Sequence, residues 1–207
     1  MKKTTLCLFF GTAVLSATAL LTPSVSADTP SGPKPTTIKL GLFFPANGDL
    51  KDSVGKTWFS LGADYEFNKQ GAASTSVPVA FLDYTGKGGS ATFLAADGVN
   101  TITADVRFNV LGIGAGIRSY GEAQNSSSVR PYFGAGAGLY FLSDSGSLKS
   151  TDGTSISVSN HKTSLGAKLS AGLEFGSSYV AELSYVYPGK IDGSDLSGFN
   201  LQLGAKF

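Results

Sequence analysis

The chain has 207 residues, with 16 Lys and Arg against 15 Asp and Glu. That length suits one domain, and the near-neutral balance excludes the basic surplus of a nucleic-acid-binding surface. Its single cysteine excludes an internal disulfide and a cysteine metal site, while charged residues at 15 % are sparse for a domain that faces water all round.

Met1-Lys2-Lys3 opens the chain, and an apolar stretch from Leu6 to Leu21 follows. Pro23 breaks it, and Val25-Ser26-Ala27 places small residues three and one positions before a cut. This is the layout of a secretory signal, so residues 1–27 are expected to be removed and the mature chain to begin at Asp28. There is no twin arginine, which favours the general secretory route. Cys7 lies inside the removed part, and losing Lys2 and Lys3 leaves 14 basic against 15 acidic residues. Residues 28–37 are Pro-rich and polar, the composition of an extended leader.

From residue 38 the chain alternates. Ile38, Leu40, Leu42 and Phe44 form one apolar set; Phe59, Leu61, Ala63, Tyr65 and Phe67 form the next. Residues 77–85 are apolar on both parities, so their faces stay open, and Ser90 to Ala95 is either a short strand or loop. Ile102, Ala104, Val106 and Phe108 alternate with Thr103, Asp105 and Arg107, and then the apolar parity switches to Leu111, Ile113, Ala115 and Ile117. A one-residue slip exchanges the two faces of a strand, so the switch predicts a tight turn or a bulge at residues 109–111. Phe133 to Phe141 alternates again, residues 143–162 read as a long Ser/Gly/Asp loop, and Leu165 to Phe175 follows. Gly176-Ser177-Ser178 is a tight turn between that segment and Tyr179 to Tyr187. The last segment runs from Phe199 to Phe207.

After the first 27 residues no apolar run is long enough for a membrane helix, yet the mean hydropathy is slightly positive. Segments of about ten residues match a tilted strand crossing a bilayer. The residues between the apolar ones are Gly, Ser, Thr, Asn and single charges, not the dense Lys/Glu coat of a soluble sheet. Phe44, Phe67, Phe108, Phe133, Phe141, Phe175, Tyr179, Tyr187 and Phe199 stand near segment ends, as two interfacial girdles would. In lipid an open sheet edge leaves backbone groups unpaired, so the sheet must close. The expected fold is all-β: a closed antiparallel up-and-down transmembrane barrel over residues 38–207, with eight strands, or ten.

Two stretches carry a family resemblance. Arg130-Pro131-Tyr132-Phe133-Gly134-Ala135-Gly136-Ala137-Gly138-Leu139-Tyr140 resembles a block of the small outer-membrane β-barrel proteins related to OmpW and OmpA. The terminal strand, ending on Phe207, is similar to the signal that outer-membrane assembly machinery recognises in them. The resemblance implies residence in the cell outer membrane, insertion by that machinery, contact with outer-membrane lipid and lipopolysaccharide, periplasmic termini and long loops outside. It implies no substrate, because the family includes passive channels, adhesins, anchors and a few lipid-modifying enzymes.

Assigning each apolar set to lipid turns the other set inward. That set holds Lys39, Arg107, Arg118, Lys168 and Lys206 against Asp64, Glu66, Asp105, Glu174 and Glu182. An eight-stranded interior is just wide enough for side chains to fill it, so an ionic plug is expected. Other motifs are weak. Gly55-Lys56-Thr57 lacks the earlier glycine of a phosphate loop, since Leu50 stands there, and the glycines at 112–116 and 134–138 have the wrong spacing for a dinucleotide site. His161, the only histidine, with Ser159 or Ser164 and Asp144 or Asp152, is the candidate set for a lipid hydrolase or acyltransferase. Asp49, Asp52, Asp192 and Asp195 lack a full oxygen-ligand spacing. The leading expectation is a monomeric, non-catalytic outer-membrane barrel with a structural, adhesive or narrow-conduit role and no cofactor. The His161 enzyme and a secreted soluble binding barrel are the alternatives.

Overall fold

A computed structural model describes residues 34–67, 76–94, 100–121, 129–191 and 193–207. The expected signal at 1–27, the leader through residue 33 and Asp192 lie outside the described residues. Eight strands close into one barrel: β1 (Thr36–Pro45), β2 (Trp58–Glu66), β3 (Ser76–Leu94), β4 (Thr101–Tyr120), β5 (Val129–Ser150), β6 (Ser155–Phe175), β7 (Tyr179–Tyr187) and, last in the chain, β10 (Gly198–Lys206). A two-residue pair, β8 (Lys190–Ile191) with β9 (Ser194–Asp195), forms a separate hairpin between β7 and β10. Every barrel neighbour is antiparallel, and β1 closes the ring by pairing β10 on one side and β2 on the other. Around the ring the order is β1-β10-β7-β6-β5-β4-β3-β2, an up-and-down meander.

The alternation expected from the sequence is the alternation of the wall. Leu40, Leu42, Leu61, Leu82, Ile113, Ile117, Leu139, Leu169, Leu183, Leu201 and Leu203 all point outward and are exposed. The side chains between them, such as Lys39, Ser60, Asp64, Glu182 and Gln202, are buried inside. Among the described residues no charged side chain lies on the outward face of the wall between the level of Leu61 and Leu111 and that of Tyr179. β1, β2, β7 and β10 have nine or ten residues each, which at about 3.3 Å per residue and about 40° of tilt spans roughly 25 Å, the height of a lipid-facing band. Among the described residues no helix is long and apolar enough to cross a membrane; the strands do the crossing.

β3, β4, β5 and β6 are twice as long, at 19–22 residues. Beyond Gly86 on β3 and Ala167 on β6 they pair only with one another, so a four-stranded sheet rises past the rim. This corrects two expectations and decides a third that was open between strand and loop. Residues 109–111 hold no turn or bulge: β4 runs without a break in register against both neighbours from Ile102 to Ser119. Residues 143–162 are not a loop but the outer halves of β5 and β6, joined by a turn at 151–154. Ser90 to Leu94 is the outer end of β3.

The parity switch has a different cause from the one expected. Along the wall the dry side is outside, in lipid, so Leu111, Ile113 and Ile117 face out. Past the rim the outside is wet, and the apolar neighbours lie over the mouth of the barrel. Val106 and Phe108 therefore share the inward face with Val110, and Phe108 packs against Trp58 at 5.9 Å between ring centroids instead of joining a lipid-facing girdle. The switch marks the end of the lipid band.

Candidate functional site

The lumen is filled in two layers. The layer nearer the chain termini is ionic. Alternation on seven different strands brings Lys39, Asp64, Glu66, Asp83, Arg118, Lys168, Glu174, Glu182 and Lys206 inside, and all nine are buried. Lys39 Nζ donates to Asp64 Oδ2 at 2.7 Å and to Glu182 Oε1 at 2.8 Å. The Arg118 guanidinium spreads over three carboxylates, reaching Glu66 at 2.7 Å, Asp64 at 2.5 Å and Glu182 at 3.2 Å. Its carbon lies 4.3 Å from the centre of the Tyr132 ring, and the Tyr132 hydroxyl donates to Glu182 at 2.9 Å. Lys168 pairs with Asp83 at 2.8 Å and lies 3.4 Å from Glu182. Nearest the termini, Lys206 bridges Glu66 and Glu174, and the Tyr120 hydroxyl bonds to the same two carboxylates.

These links form one connected network in which Glu182 meets three cations. Removing several charges from water is costly, and the cost is offset only where every charge finds close opposite partners. A cavity of about 30 Å³ borders Asp64, Arg118 and Lys168. Asp64 Oδ1 and Arg118 Nε, the network atoms without a protein partner on those two residues, belong to its lining side chains. A space of that size and polarity suits a water molecule.

The second layer is apolar and closes the opposite mouth. α1 (Gly48–Ser53) sits in the β1–β2 connection; the Asn47 side chain caps it by accepting from Asp49 N at 2.9 Å. Leu50 and Val54 from this segment, with Ile191 and Leu196 from the β8–β9 hairpin, meet Phe43, Trp58, Phe81, Val110, Tyr140, Leu142 and Val186 from the strands. Trp58 is 1 % and Tyr140 0 % exposed, so water does not reach the lumen past them. The Trp58 indole N–H donates to Gly55 O at 2.9 Å, which ties the loop to the cap. Glycine makes Tyr140 possible: a Cβ at either Gly112 or Gly166 would run into its ring.

Of the ten charges expected inside, eight meet in the ionic layer. Asp105 and Arg107 do not. They stand on the outer face of β4 beyond the rim, beside Ser145 and Ser147 of β5, because the apolar parity reverses there. Asp83 was missed, since residues 77–85 offer apolar residues on both parities. His161 lies on the outer face of β6 opposite Ser143, while Asp144 pairs with Asn160 on the other face and Ser164 shares that inner parity. Asp152 sits in the turn at the tip. A Ser–His–acid line therefore does not assemble from these residues. Asp195 accepts from the backbone of Ser197 at 2.9 Å, and Asp49 occupies the first turn of α1. Among the described residues no group of three His, Cys, Asp or Glu is placed to hold a metal ion.

A closed eight-stranded barrel, apolar outside and ionic inside, is a small transmembrane β-barrel of the outer-membrane class. Known proteins of similar fold include the attachment invasion locus protein Ail of Yersinia pestis, solved with the heparin analogue sucrose octasulfate. It is 24 % identical with a TM-score of 0.48, over 85 % of this chain and 100 % of that one. Neisserial surface protein A is 17 % identical with a TM-score of 0.45, over 83 % and 92 %. The N-terminal barrel domain of Pseudomonas aeruginosa OprF is 14 % identical with a TM-score of 0.44, over 86 % and 100 %. No family model and no curated protein matches the chain.

Proposed function

We propose that this chain is a non-catalytic outer-membrane barrel that anchors and presents a surface sheet and does not conduct solutes. The observation that carries the reading is the double closure of the lumen, by the ionic network around Glu182 and by the aromatic cap around Trp58 and Tyr140. A conduit needs a wet path, and both ends of this lumen are filled with packed side chains. The long halves of β3 to β6 then become the part of the molecule that reaches beyond the bilayer. Their outer face is rich in Ser and Thr, with Asp105, Arg107, Lys149 and His161 among them.

In this reading the termini and the 176–178 turn lie on the periplasmic side, the barrel acts as a monomer, and Phe207 marks the strand read by the assembly machinery. Planar-bilayer recording tests the closed lumen. Folded protein is expected to give no stepwise conductance at neutral pH. Regular openings in the unaltered protein would overturn the structural reading in favour of a conduit.

A further inference from the structure

Past the rim only half of the ring continues. β3 to β6 carry the ladders of the wall upward, so four of the eight strands stand over one half of the circumference and the other half is open. The inward parity of this sheet holds Phe93, Ile102, Val106, Leu148, Ile156 and Val158. The register sets them side by side, Phe93 opposite Ile102 and Leu148 opposite Ile156. Phe93, Ile156 and Val158 are 57 %, 60 % and 59 % exposed. The cap of α1 and the hairpin reaches only as high as Phe108, Val110 and Leu142. An amphipathic sheet is stable when its apolar face packs against a second layer.

The strand edges decide what that layer is. β3 has a ladder on one side only from Lys87 to Leu94, and β6 on one side only from Ser155 to Gly166. A strand edge is a template for a further strand, and these two edges bound the open half. What fits there has four strands, the curvature of an eight-stranded ring and an apolar inner face. A second copy, turned over by a two-fold axis parallel to the membrane, supplies all three. That operation lays β3 beside the copy's β3 and β6 beside the copy's β6, each antiparallel, so the contact is self-complementary. The charges agree with it. Lys87 and Lys162 stand at the foot of the inward face, with Asp144 on the strand between them accepting from Asn160 Nδ2 at 3.4 Å. Asp152 stands in the turn at the tip, and Lys149 near it has the outward parity. Head to head, each tip meets the other copy's foot, so Asp152 approaches the two lysines. Four inward positions on each of four strands, with the edge residues, reach the roughly 20–30 residues a side of a stable interface.

The geometry points to docking of a second copy of this chain from an apposed membrane, two half-rings closing one eight-stranded barrel between the membranes. Copies in one membrane cannot make this contact, because their sheets point the same way, so each barrel stays a monomer within its own bilayer. The inference rests on the reading of the sheet as the surface that the barrel presents, and it names the partner of that surface.

The test places folded full-length protein, with Cys7 replaced, in phosphatidylcholine vesicles and follows clustering by light scattering. Protein-bearing vesicles are expected to cluster with one another and to leave dye-filled empty vesicles behind. Phe93→Asp and Val158→Asp should each raise the protein density needed for clustering by about tenfold, while Ser145→Asp on the polar face leaves it unchanged. Ala91→Cys, in the middle of the β3 edge, should give disulfide-linked dimers on oxidation, and Ser145→Cys should not. Each variant is checked for the compact band on unheated gels, which separates loss of docking from loss of folding. Folded, unaltered protein that leaves its vesicles dispersed would overturn the proposal. So would clustering that survives Phe93→Asp combined with Val158→Asp, or recruitment of the empty vesicles, which would make lipid the occupant. Failure of the barrel reading would show separately, as protein that does not float with the vesicles.

Discussion

Arg118 illustrates how much one lumen residue holds. Its guanidinium touches Glu66, Asp64 and Glu182 and stacks on Tyr132, so truncating it takes a cation from three buried carboxylates at once and leaves each with lysine alone as its cation partner. Breaking a buried pair by removing one partner costs about 3–5 kcal/mol, most of it from the charges left behind. Arg118→Ala and Glu182→Ala should therefore lower unfolding stability in detergent by that order, measured by denaturant titration. Arg107→Ala, on the wet outer face, should leave the midpoint nearly unchanged; an equal loss for both arginines would contradict the placement of Arg107. On the outer wall the sign of the environment reverses. Leu169 faces lipid next to buried Lys168, and Leu169→Arg should cost about 2–4 kcal/mol at mid-depth and block insertion, read as loss of the compact band on unheated gels. The inward parity of Lys39, Asp64 and Glu182 is readable from the sequence because their neighbours alternate cleanly. Asp83 is not, because Val79, Phe81, Leu82 and Tyr84 surround it with apolar residues on both parities.

At the scale of elements, β4 shows where alternation stops being a reliable guide. Period-2 patterning reports which face is dry, and it reports a backbone slip only when the dry side stays put. Here the strand continues and the dry side moves from lipid to the capped mouth, so Val106 and Val110 face in while Leu111 and Ile113 face out. The Ser-rich composition of residues 143–162 hid two strand halves for a similar reason. Ser155, Ser157 and Ser159 alternate with Ile156 and Val158 and all five are exposed, an alternation too polar to read as a membrane strand. The outer halves make few contacts with the cap beyond Phe108. Replacing residues 145–159 by an Asn-Gly turn between the paired Asp144 and Asn160 should leave the barrel folded. The check is heat-modifiable migration together with the emission of Trp58, the only tryptophan, which should remain that of a buried indole. A collapsed barrel or a red-shifted Trp58 would show that the projecting sheet holds the wall together.

For the whole molecule, closure is the decisive step, and it joins the first strand to the last. Phe207 N donates to Thr36 O at 2.8 Å, and β10 carries ladders to both β1 and β7. Deleting Phe207 should reduce the fraction assembled in the outer membrane far more than Ser145→Ala, compared by gel mobility of membrane fractions before and after heating. Equal assembly of the two variants would remove the role given to the terminal aromatic. The account as a whole stands on which side of each strand meets lipid and on where lipid ends. Spin labels on cysteines introduced singly at residues 156–175 of β6, in protein whose Cys7 is replaced, read both directly through collision with oxygen and with a water-soluble nickel complex. Labels at Leu165, Leu169 and Leu173 should collide with oxygen and be shielded from nickel, those at Lys168 and Gly172 should be shielded from both, and the outward positions 157–161 should meet nickel. Uniform nickel access at Leu165, Leu169 and Leu173 would contradict the membrane barrel.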